Sequence, residues 1–379
     1  LLDPQQQDEN ARIRIGRIAL DRAQLGYDDV AHKTHLRATL STGADGAGYS
    51  ATSDLRFTAV GQYKGLAVKA QGSGGPVLAL RDTTLPYPLK FEASAGRTQV
   101  KADGTLTGLL ALDAIDMRMT LRGDNLEQLY PLLGIAFPAT RPYLTEGHLL
   151  HAGSTWRYEQ FTGRIGTSDI AGFVQVVTGG KRPALTAGLT SRVLALEDLG
   201  PVIGARPGSV AQAAALPAGR ARVLPDLPFK TDRWDSVDAE VDLSAKSLRH
   251  AKALPLENLV THLSLRDAVL TLDPLNFGLA GGQLDTRVTL DGRSQPIQAH
   301  AQVRARRVRL SRLFPTVHLN RNSIGQVNGQ FDLTGKGNSV SSLLASADGK
   351  LGLVVDGGEV SKLMMEKIGL HLWEILSLN

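Results

Sequence analysis

The chain contains 379 residues, of which 42% are hydrophobic and 21% are charged, so it can bury a core and is not disordered by composition. Its formal net charge of +5 is small for this length and charges of both signs are interspersed, which indicates a solvated surface and not a nucleic-acid footprint. Because cysteine is absent, disulfides and thiolate metal sites are excluded.

The sequence shows no targeting or membrane-spanning segment. No stretch approaches the roughly 20 apolar residues that a membrane-spanning helix needs, and no signal peptide is visible. The chain begins at Leu1 without a methionine. We interpret it as a fragment, outside which a membrane anchor could lie.

The first part of the chain consists of short alternating runs. After a polar segment at residues 1–10, which we expect to be frayed, apolar and polar residues alternate through residues 11–204. This period of two predicts β-strands. Glycine-containing segments at residues 72–75 and 103–104 predict turns between them.

Helical patterns are few. Asp124 precedes a short apolar pattern that ends at Gly134, and we predict that its carboxylate caps a helix there. Residues 339–347 predict a second helix. From Val360 onward apolar residues recur at helical spacing, so the visible chain is predicted to end in an amphipathic helix.

Residues 205–228 follow neither period. They are rich in Ala, Pro, Gly and Arg, a composition typical of a linker or mobile loop. We therefore expect a boundary here, between an N-terminal β segment at residues 11–204 and a C-terminal β segment at residues 229–379.

The clearest strands lie between Val237 and Asp291. The apolar residues that alternate with polar ones there include Val237, Ala239, Val241, Leu243, Leu263, Leu265, Leu270, Leu272, Leu284, Val288 and Leu290. A period of two places these side chains on one face and their polar neighbours on the other. A block at residues 273–282, containing Pro and Gly, interrupts the series. Roughly twenty such runs along the chain predict a mainly β fold of antiparallel strands joined by tight turns.

No constellation for catalysis or metal binding is evident. The close histidine pairs are His32 with His35 and His148 with His151, and residues i and i+3 of a strand point to opposite faces. Paired carboxylates lie in turn-like sequence, and neither a nucleophile elbow nor a phosphate loop is present. We therefore expect no catalytic residue, no metal site and no cofactor, and a protein that is not an enzyme.

The strongest basic cluster is formed by Arg304, Arg306, Arg307 and Arg309. Alternation predicts Arg304 and Arg306 on one face of a strand, with Arg307 and Arg309 on the other face or at the strand end. No aromatic residue is interleaved for base stacking, so nucleic acid is not an expected partner. A solvated strand face and contact with anionic lipid headgroups are the two interpretations that we keep.

Several segments carry a family resemblance. They are Gly163–Gly172 (GRIGTSDIAG), Lys181–Ala187 (KRPALTA), Leu194–Leu199 (LALEDL), Ala268–Gly282 and Ser342–Lys362. In this order they resemble the AsmA family of bacterial envelope proteins. The resemblance covers nearly the whole chain apart from residues 1–10 and 205–228.

The resemblance implies an N-terminal inner-membrane helix and a large periplasmic part. That part is expected to be an elongated, strongly curved antiparallel sheet that forms an open groove with an apolar inner face. The family, distantly related to bridge-like lipid-transfer proteins, implies movement of phospholipid toward the outer membrane and support of envelope integrity. We therefore expect a periplasmic protein, anchored to the inner membrane outside this chain, with phospholipid and envelope proteins as its partners.

The candidates for contact with acyl chains are assigned to one strand face by alternation. They are Met117, Met119, Val241, Leu243, Leu263, Leu265, Val288 and Leu290. Acyl chains would cover this face in an open trough, at about 0.8 kcal/mol per buried methylene, whereas a second sheet would cover it in a sandwich.

Other functions also remain open at this point. A closed sandwich would suit a structural module that assists outer-membrane protein assembly by adding a partner strand at a sheet edge. A carbohydrate-active enzyme would need two carboxylates facing each other across a cleft, and the sequence shows no sign of such a pair.

Overall fold

The computed structural model describes residues 18–42, 54–109, 112–135, 137–195, 198, 228–249, 256–309, 312 and 326–356. Within them the fold is mainly β, which confirms the class predicted from alternation. The predicted frayed terminus, nearly all of the predicted linker and the predicted C-terminal helix lie outside the described residues.

Eighteen strands are present in the described part of the chain. They are β1 (Ala23–Asp29), β2 (Thr34–Thr42), β3 (Asp54–Tyr63), β4 (Leu66–Pro76), β5 (Tyr87–Ala95), β6 (Thr98–Thr107), β7 (Ala114–Gly123), β8 (Tyr143–Ala152), β9 (Thr155–Ile165), β10 (Ser168–Val177), β11 (Ala184–Ala195), β12 (Asp238–Arg249), β13 (Leu256–Arg266), β14 (Val269–Leu279), β15 (Gly282–Asp291), β16 (Gln298–Arg309), β17 (Gln326–Lys336) and β18 (Asp348–Asp356).

The chain divides into two compact units, Leu1–Met119 and Thr120–Asn379. The division falls inside β7, whereas the boundary expected at residues 205–228 lies within the second unit. In the first unit, β1 to β6 pair antiparallel, each with the next along the chain. Such meanders follow from tight turns between short alternating strands.

The glycines at residues 72–75 lie inside β4, so the turn predicted there is wrong. A Cβ at Gly72 would lie 2.7 Å from the ring of Phe57, and one at Gly74 would lie 2.6 Å from the ring of Tyr87. Glycine is needed in this strand because aromatic rings lie flat against its backbone. Residues 103–104, also predicted as a turn, lie inside β6 for a related reason, since Gly104 packs against the backbone of Met117.

The buried Tyr87 completes this packing. Its hydroxyl donates a hydrogen bond of 2.5 Å to the carbonyl oxygen of Gly75. Burial raises the pKa of the Tyr87 hydroxyl to about 12, because a phenolate would lose hydration there. The side chain therefore stays neutral and acts as a donor at all ordinary pH values.

In the second unit, β8 to β18 also pair in chain order. All of these pairs are antiparallel except β11 with β12, which is parallel and starts with Ala184 beside Asp238. The expectation of a purely antiparallel sheet is wrong at this one place. A parallel pair needs a crossover connection, and residues 196–237 provide it.

β14 continues through the first part of the block at residues 273–282, as far as Leu279. Its pairing with β15 shifts between Leu272 and Leu275, so a bulge lies at Asp273 and Pro274. Proline has no N–H to donate to the ladder, and a bulge is a position in a sheet that tolerates this loss. The block therefore begins with a bulge inside β14 and ends with the turn at residues 280–281 that leads into β15.

The two predicted helical segments are present. A 3-10 helix at Leu126–Leu129 continues into α1 (Tyr130–Leu133), which ends at Gly134 in the left-handed conformation. The capping side chain is Asn125 and not Asp124, one residue later than predicted; its Oδ1 accepts from the N–H of Glu127 at 2.9 Å. The second helix, α2 (Val340–Ala345), is capped by Ser339 through a reciprocal bond with Ser342.

One buried carboxylate joins two distant segments of the second unit. Asp198 follows β11 and its side chain is 3% exposed. Its Oδ2 accepts from the N–H groups of Thr167 and Ser168, each at 2.8 Å, and from the Ser168 hydroxyl at 2.7 Å. The guanidinium of Arg141 lies 3.3 Å from Oδ1. The carboxylate thus holds the β9–β10 turn against the end of β11.

We expect Asp198→Asn to lower the free energy of unfolding by about 2–4 kcal/mol, because an amide removes the buried negative charge to which Thr167 and Ser168 donate and which the Arg141 guanidinium compensates. Urea denaturation followed by circular dichroism measures this change. Asp242→Asn is the matched control, since the Asp242 side chain is 76% exposed and its loss should cost under about 1 kcal/mol. Equal losses in both variants would contradict the assigned role of Asp198.

Candidate functional site

A continuous apolar face extends across the strands of the second unit. One row of directly paired residues follows the hydrogen bonds from β10 to β17: Val174, Ala187, Val241, Leu263, Leu272, Val288, Ala301 and Leu333. The adjacent row contains Val176, Leu185, Ala239, Leu265, Leu270, Leu290 and Ala299. At about 4.8 Å per strand, the first row is roughly 34 Å long along the ladder.

No second sheet covers this face within the described residues of the unit, where the strands pack chiefly against their ladder neighbours. Most large side chains on it are accordingly half-buried, among them Val241, Leu263 and Val288. Exposure rises at the β18 end, where Leu351 is 58% and Leu353 is 49% exposed. The sandwich that the sequence left open is therefore not found in this part of the chain.

The face is covered at one place. Ile135 and Phe137, which follow α1, pack with Trp234 from the crossover against Leu185, Ala187, Ala239 and Leu265. Arg233, beside Trp234, places its guanidinium 3.8 Å from the centre of the Tyr130 ring, and Lys230 forms an ion pair of 2.9 Å with Glu127. These contacts hold residues 230–234 and the α1 region over one border of the apolar face.

The opposite face of the same strands is polar and internally paired. The ion pairs on it are His262 with Asp242 and Glu240, Arg266 with Glu240, Arg287 with Asp273, Arg306 with Asp285, and His300 with Asp332. Hydrogen bonding to Asp242, and secondarily to Glu240, raises the pKa of His262 against the effect of desolvation. This face is built to remain in water.

Six of the predicted acyl-contact residues come together on the apolar face. Val241, Leu263 and Val288 share one row, Leu265 and Leu290 share the adjacent row, and Leu243 lies two residues beyond Val241 on the same strand face. Their grouping follows from alternation plus the pairing register. That they bind lipid stays a prediction.

The two methionines belong to the first unit. Met117 in β7 is 4% exposed and packs against Ala102 and Leu106 of β6, and Met119 lies on the same strand face. Leu89, Phe91 and Ile115 pack against the same cluster. Met117 is therefore a packing residue whose sulfur has little access to a ligand.

Sequence reasoning missed several residues of the apolar face. They are Ala187, Ala301, Phe331, Leu333, Leu351 and Leu353, all of which occupy paired positions in or beside the rows. Alternation in β17 and β18 was visible in the sequence. Only the register, however, shows that these residues continue the face from β16.

A bulge in β16 changes the predicted distribution of the arginines. Ala305 pairs with Gly329 and Val308 pairs with Val327, so two residues of β16, Arg306 and Arg307, oppose one residue of β17. Ala305 and Val308 both pack into one apolar cluster. Beyond the bulge, the alternation of the two faces is shifted by one residue. Arg309, at the end of the strand, therefore lies on the same face as Arg304.

The histidines predicted to lie outside metal sites have other contacts. His32 hydrogen-bonds Asp29 at 2.7 Å and His35 hydrogen-bonds Asp28 at 2.9 Å. His151 stacks on Trp156 with ring centres 3.8 Å apart. Within the described ranges, no group of three or more His, Cys, Asp or Glu side chains is placed to hold a metal ion. None of the described helices is long and apolar enough to cross a membrane.

Comparisons with known proteins agree on one family. The model of the AsmA family matches residues 48–377. The AsmA family protein YhjG of Escherichia coli (strain K12) is 35% identical over 407 aligned residues, which cover 98% of this chain. The chain spans 59% of the length of that relative. No solved structure matches the chain.

One polar atom on the apolar face can be used to test whether water reaches this face. Thr261 is 8% exposed and lies between Leu243 and Leu275 in the pairing, and its hydroxyl has no hydrogen-bond partner among the described residues. We expect Thr261→Val to raise the free energy of unfolding by about 1 kcal/mol, because an unpaired hydroxyl is replaced by a methyl group of the same shape.

Chemical denaturation measures this gain. Thr271→Val, on the polar face of β14, is the matched control and should give no gain. A loss of stability in Thr261→Val would show that the hydroxyl is hydrogen-bonded, and that the face is wetter at this position than the contacts indicate.

Proposed function

This chain belongs to the AsmA family, and from that premise we propose that it binds phospholipid and conducts it along the apolar face between the inner and outer membranes. The role would support outer-membrane biogenesis and envelope integrity. The observation that carries the proposal is the pair of apolar rows, continuous over at least seven strands and without a covering sheet in the described part of the unit.

The free energy of burying hydrocarbon favours acyl chains as the cover of the apolar face. Each methylene that leaves water for an apolar surface contributes about 0.8 kcal/mol, so two long chains gain many kcal/mol without any directional contact. The rows present similar Leu, Val and Ala side chains at successive strands. A chain that moves from one strand to the next therefore loses and regains similar contacts, which suits conduction.

The proposal requires no covalent chemistry. Movement of a lipid along an apolar surface makes and breaks no bond, so we propose a protein that is not an enzyme. We further propose that the protein works in the periplasm, with an inner-membrane anchor outside this chain and with other envelope proteins as partners. Family membership supports these parts of the proposal.

The test places charge on the apolar face. We expect the double variant Val241→Glu, Val288→Glu to lose most of the lipid that co-purifies with the chain, because two carboxylates in one row cannot be covered by hydrocarbon without a large desolvation cost. Mass spectrometry of the organic extract measures the lipid content per mole of protein.

The control adds the same charge to the other face. Ser244→Glu, Thr289→Glu changes positions that alternate with the apolar rows, and its lipid content should equal that of the unmodified chain. Circular dichroism confirms that both variants fold. Wild-type protein without bound lipid, or equal lipid in the two double variants, would reject the conduit.

A second candidate function rests on β18. Within the described residues of this unit, β17 is the only strand paired with β18, and β18 exposes Leu351, Leu353 and, on its other face, Val354 at 64%. Exposed apolar residues on both faces of a strand favour addition of a partner strand. In this function the chain would be an interaction module in outer-membrane protein assembly.

A single proline substitution in β18 distinguishes the two candidate functions, lipid conduction and strand addition. We expect Gly352→Pro to block strand addition at β18, because proline cannot donate a ladder hydrogen bond, while leaving the extracted lipid unchanged. Cross-linking of envelope proteins to a photoreactive residue at position 354 reports the addition. Cross-links that persist in the proline variant would reject β18 as the docking strand.

A further inference from the structure

The bulge in β16 gathers four arginines onto the polar face. Residues Arg306 and Arg307 together oppose Asn328 of β17, whose Oδ1 accepts from the N–H of Arg307 at 3.0 Å. Arg307, the second of the two bulged residues, has a φ of 53°, which is a left-handed conformation. With regular alternation, Arg309 would lie on the apolar face. Because of the bulge, Val308 lies on that face instead.

The arginines differ in how far their charge is compensated. All four are exposed, and Arg306 forms an ion pair with Asp285. Arg304, Arg307 and Arg309 form no ion pair with any described residue. The patch therefore carries an excess of about three positive charges over a short length of strand.

The residues of the neighbouring strands do little to neutralise this positive charge. On β17 the patch is opposed by the amides Gln330, Asn328 and Gln326, and on β15 by Gln283 and Asp285. Asp285 is the one carboxylate among these five neighbours. Elsewhere on the polar face arginines have carboxylate partners, as Arg266 and Arg287 do.

An exposed apolar residue lies next to the patch. Val354 of β18 pairs with Asn328 and is 64% exposed. Arginines beside an exposed aliphatic side chain are the composition of surfaces that lie in the headgroup region of a bilayer. We propose that Arg304, Arg307, Arg309 and Val354 form a docking surface for an anionic phospholipid membrane.

A membrane fits this surface better than the other polyanions. The patch contains no aromatic side chain on which nucleic-acid bases could stack. The residues lie on the face of a sheet and are open to solvent, so they offer no pocket that would select an acidic peptide. The attraction is Coulombic and adds up over the charges, which is how polybasic surfaces bind anionic lipid.

This surface is separate from the proposed lipid path. It lies on the opposite face of β16 from Ala305 and Val308, so it would bring the chain to a membrane without holding the transported lipid. A protein that conducts no lipid could still dock in this way, and the two proposals fail independently.

The test compares vesicles of phosphatidylcholine with vesicles containing about one third phosphatidylglycerol at low salt. We expect the 379-residue chain to co-sediment with the anionic vesicles only. The triple variant Arg304→Gln, Arg307→Gln, Arg309→Gln should bind them about 100-fold more weakly, since each basic residue near such a surface contributes about fivefold. Arginine-to-lysine replacement at the same three positions should retain binding.

A charge-matched control uses arginines that already have partners. Arg266→Gln, Arg287→Gln, Arg293→Gln removes three charges from ion pairs with Glu240, Asp273 and Asp291 and should bind nearly as tightly as the wild type. Extracted lipid should be unchanged in every variant. Equal weakening in both glutamine triples, equal binding to both vesicle types, or binding to heparin without binding to vesicles would overturn the proposal.

Discussion

The constraint on which this structure depends is the period of two in a single layer of strands. The strands from β11 to β17 each have one chiefly apolar and one chiefly polar side, and the pairing register aligns these sides from strand to strand. In a sandwich, the apolar side would be covered by a second sheet. Here the described residues provide only a local cover at Ile135, Phe137 and Trp234. The remaining apolar surface needs another occupant, and the proposed function follows from that need.

The polar face and the apolar face of the sheet have different physical roles. On the polar face, carboxylates and cations neutralise each other at close range, as Glu240 does with Arg266. Each exposed pair contributes little to stability, but together they keep the face hydrated and specify which side of the strand faces water. On the apolar face, Leu, Val and Ala supply contacts without direction. In the proposed function, a ligand there would be recognised by its hydrocarbon length and not by a constellation of polar groups, which agrees with the lack of any catalytic pattern in the sequence.

Bulges and a single parallel pair modify this regular plan at defined places. The bulge at Pro274 lets β14 continue where a proline would otherwise end it. The bulge at Arg307 keeps Val308 on the apolar face and leaves Arg309 on the polar one. The crossover before β12 carries Trp234 and Lys230 to the border of the apolar face. Deep inside the unit, Asp198 joins two of the segments that carry the family resemblance, Gly163–Gly172 and Leu194–Leu199.

The sequence by itself determined the strand class, the two short helices and the family. It also determined that Val241, Leu263, Val288 and their companions share one side of their strands. Strands and helices could be predicted because side-chain alternation and capping act over a few residues. Tertiary structure decided the rest. Gly72 and Gly74 look like a turn until the rings of Phe57 and Tyr87 are placed against them. Asp273 and Pro274 look like the end of a strand until the register with the partner strands shows that β14 continues past them with a bulge. The arginines of β16 look divided between two faces until β17 sets the register. Each of these outcomes depends on a residue from another strand, and local sequence holds no information about which strand that is.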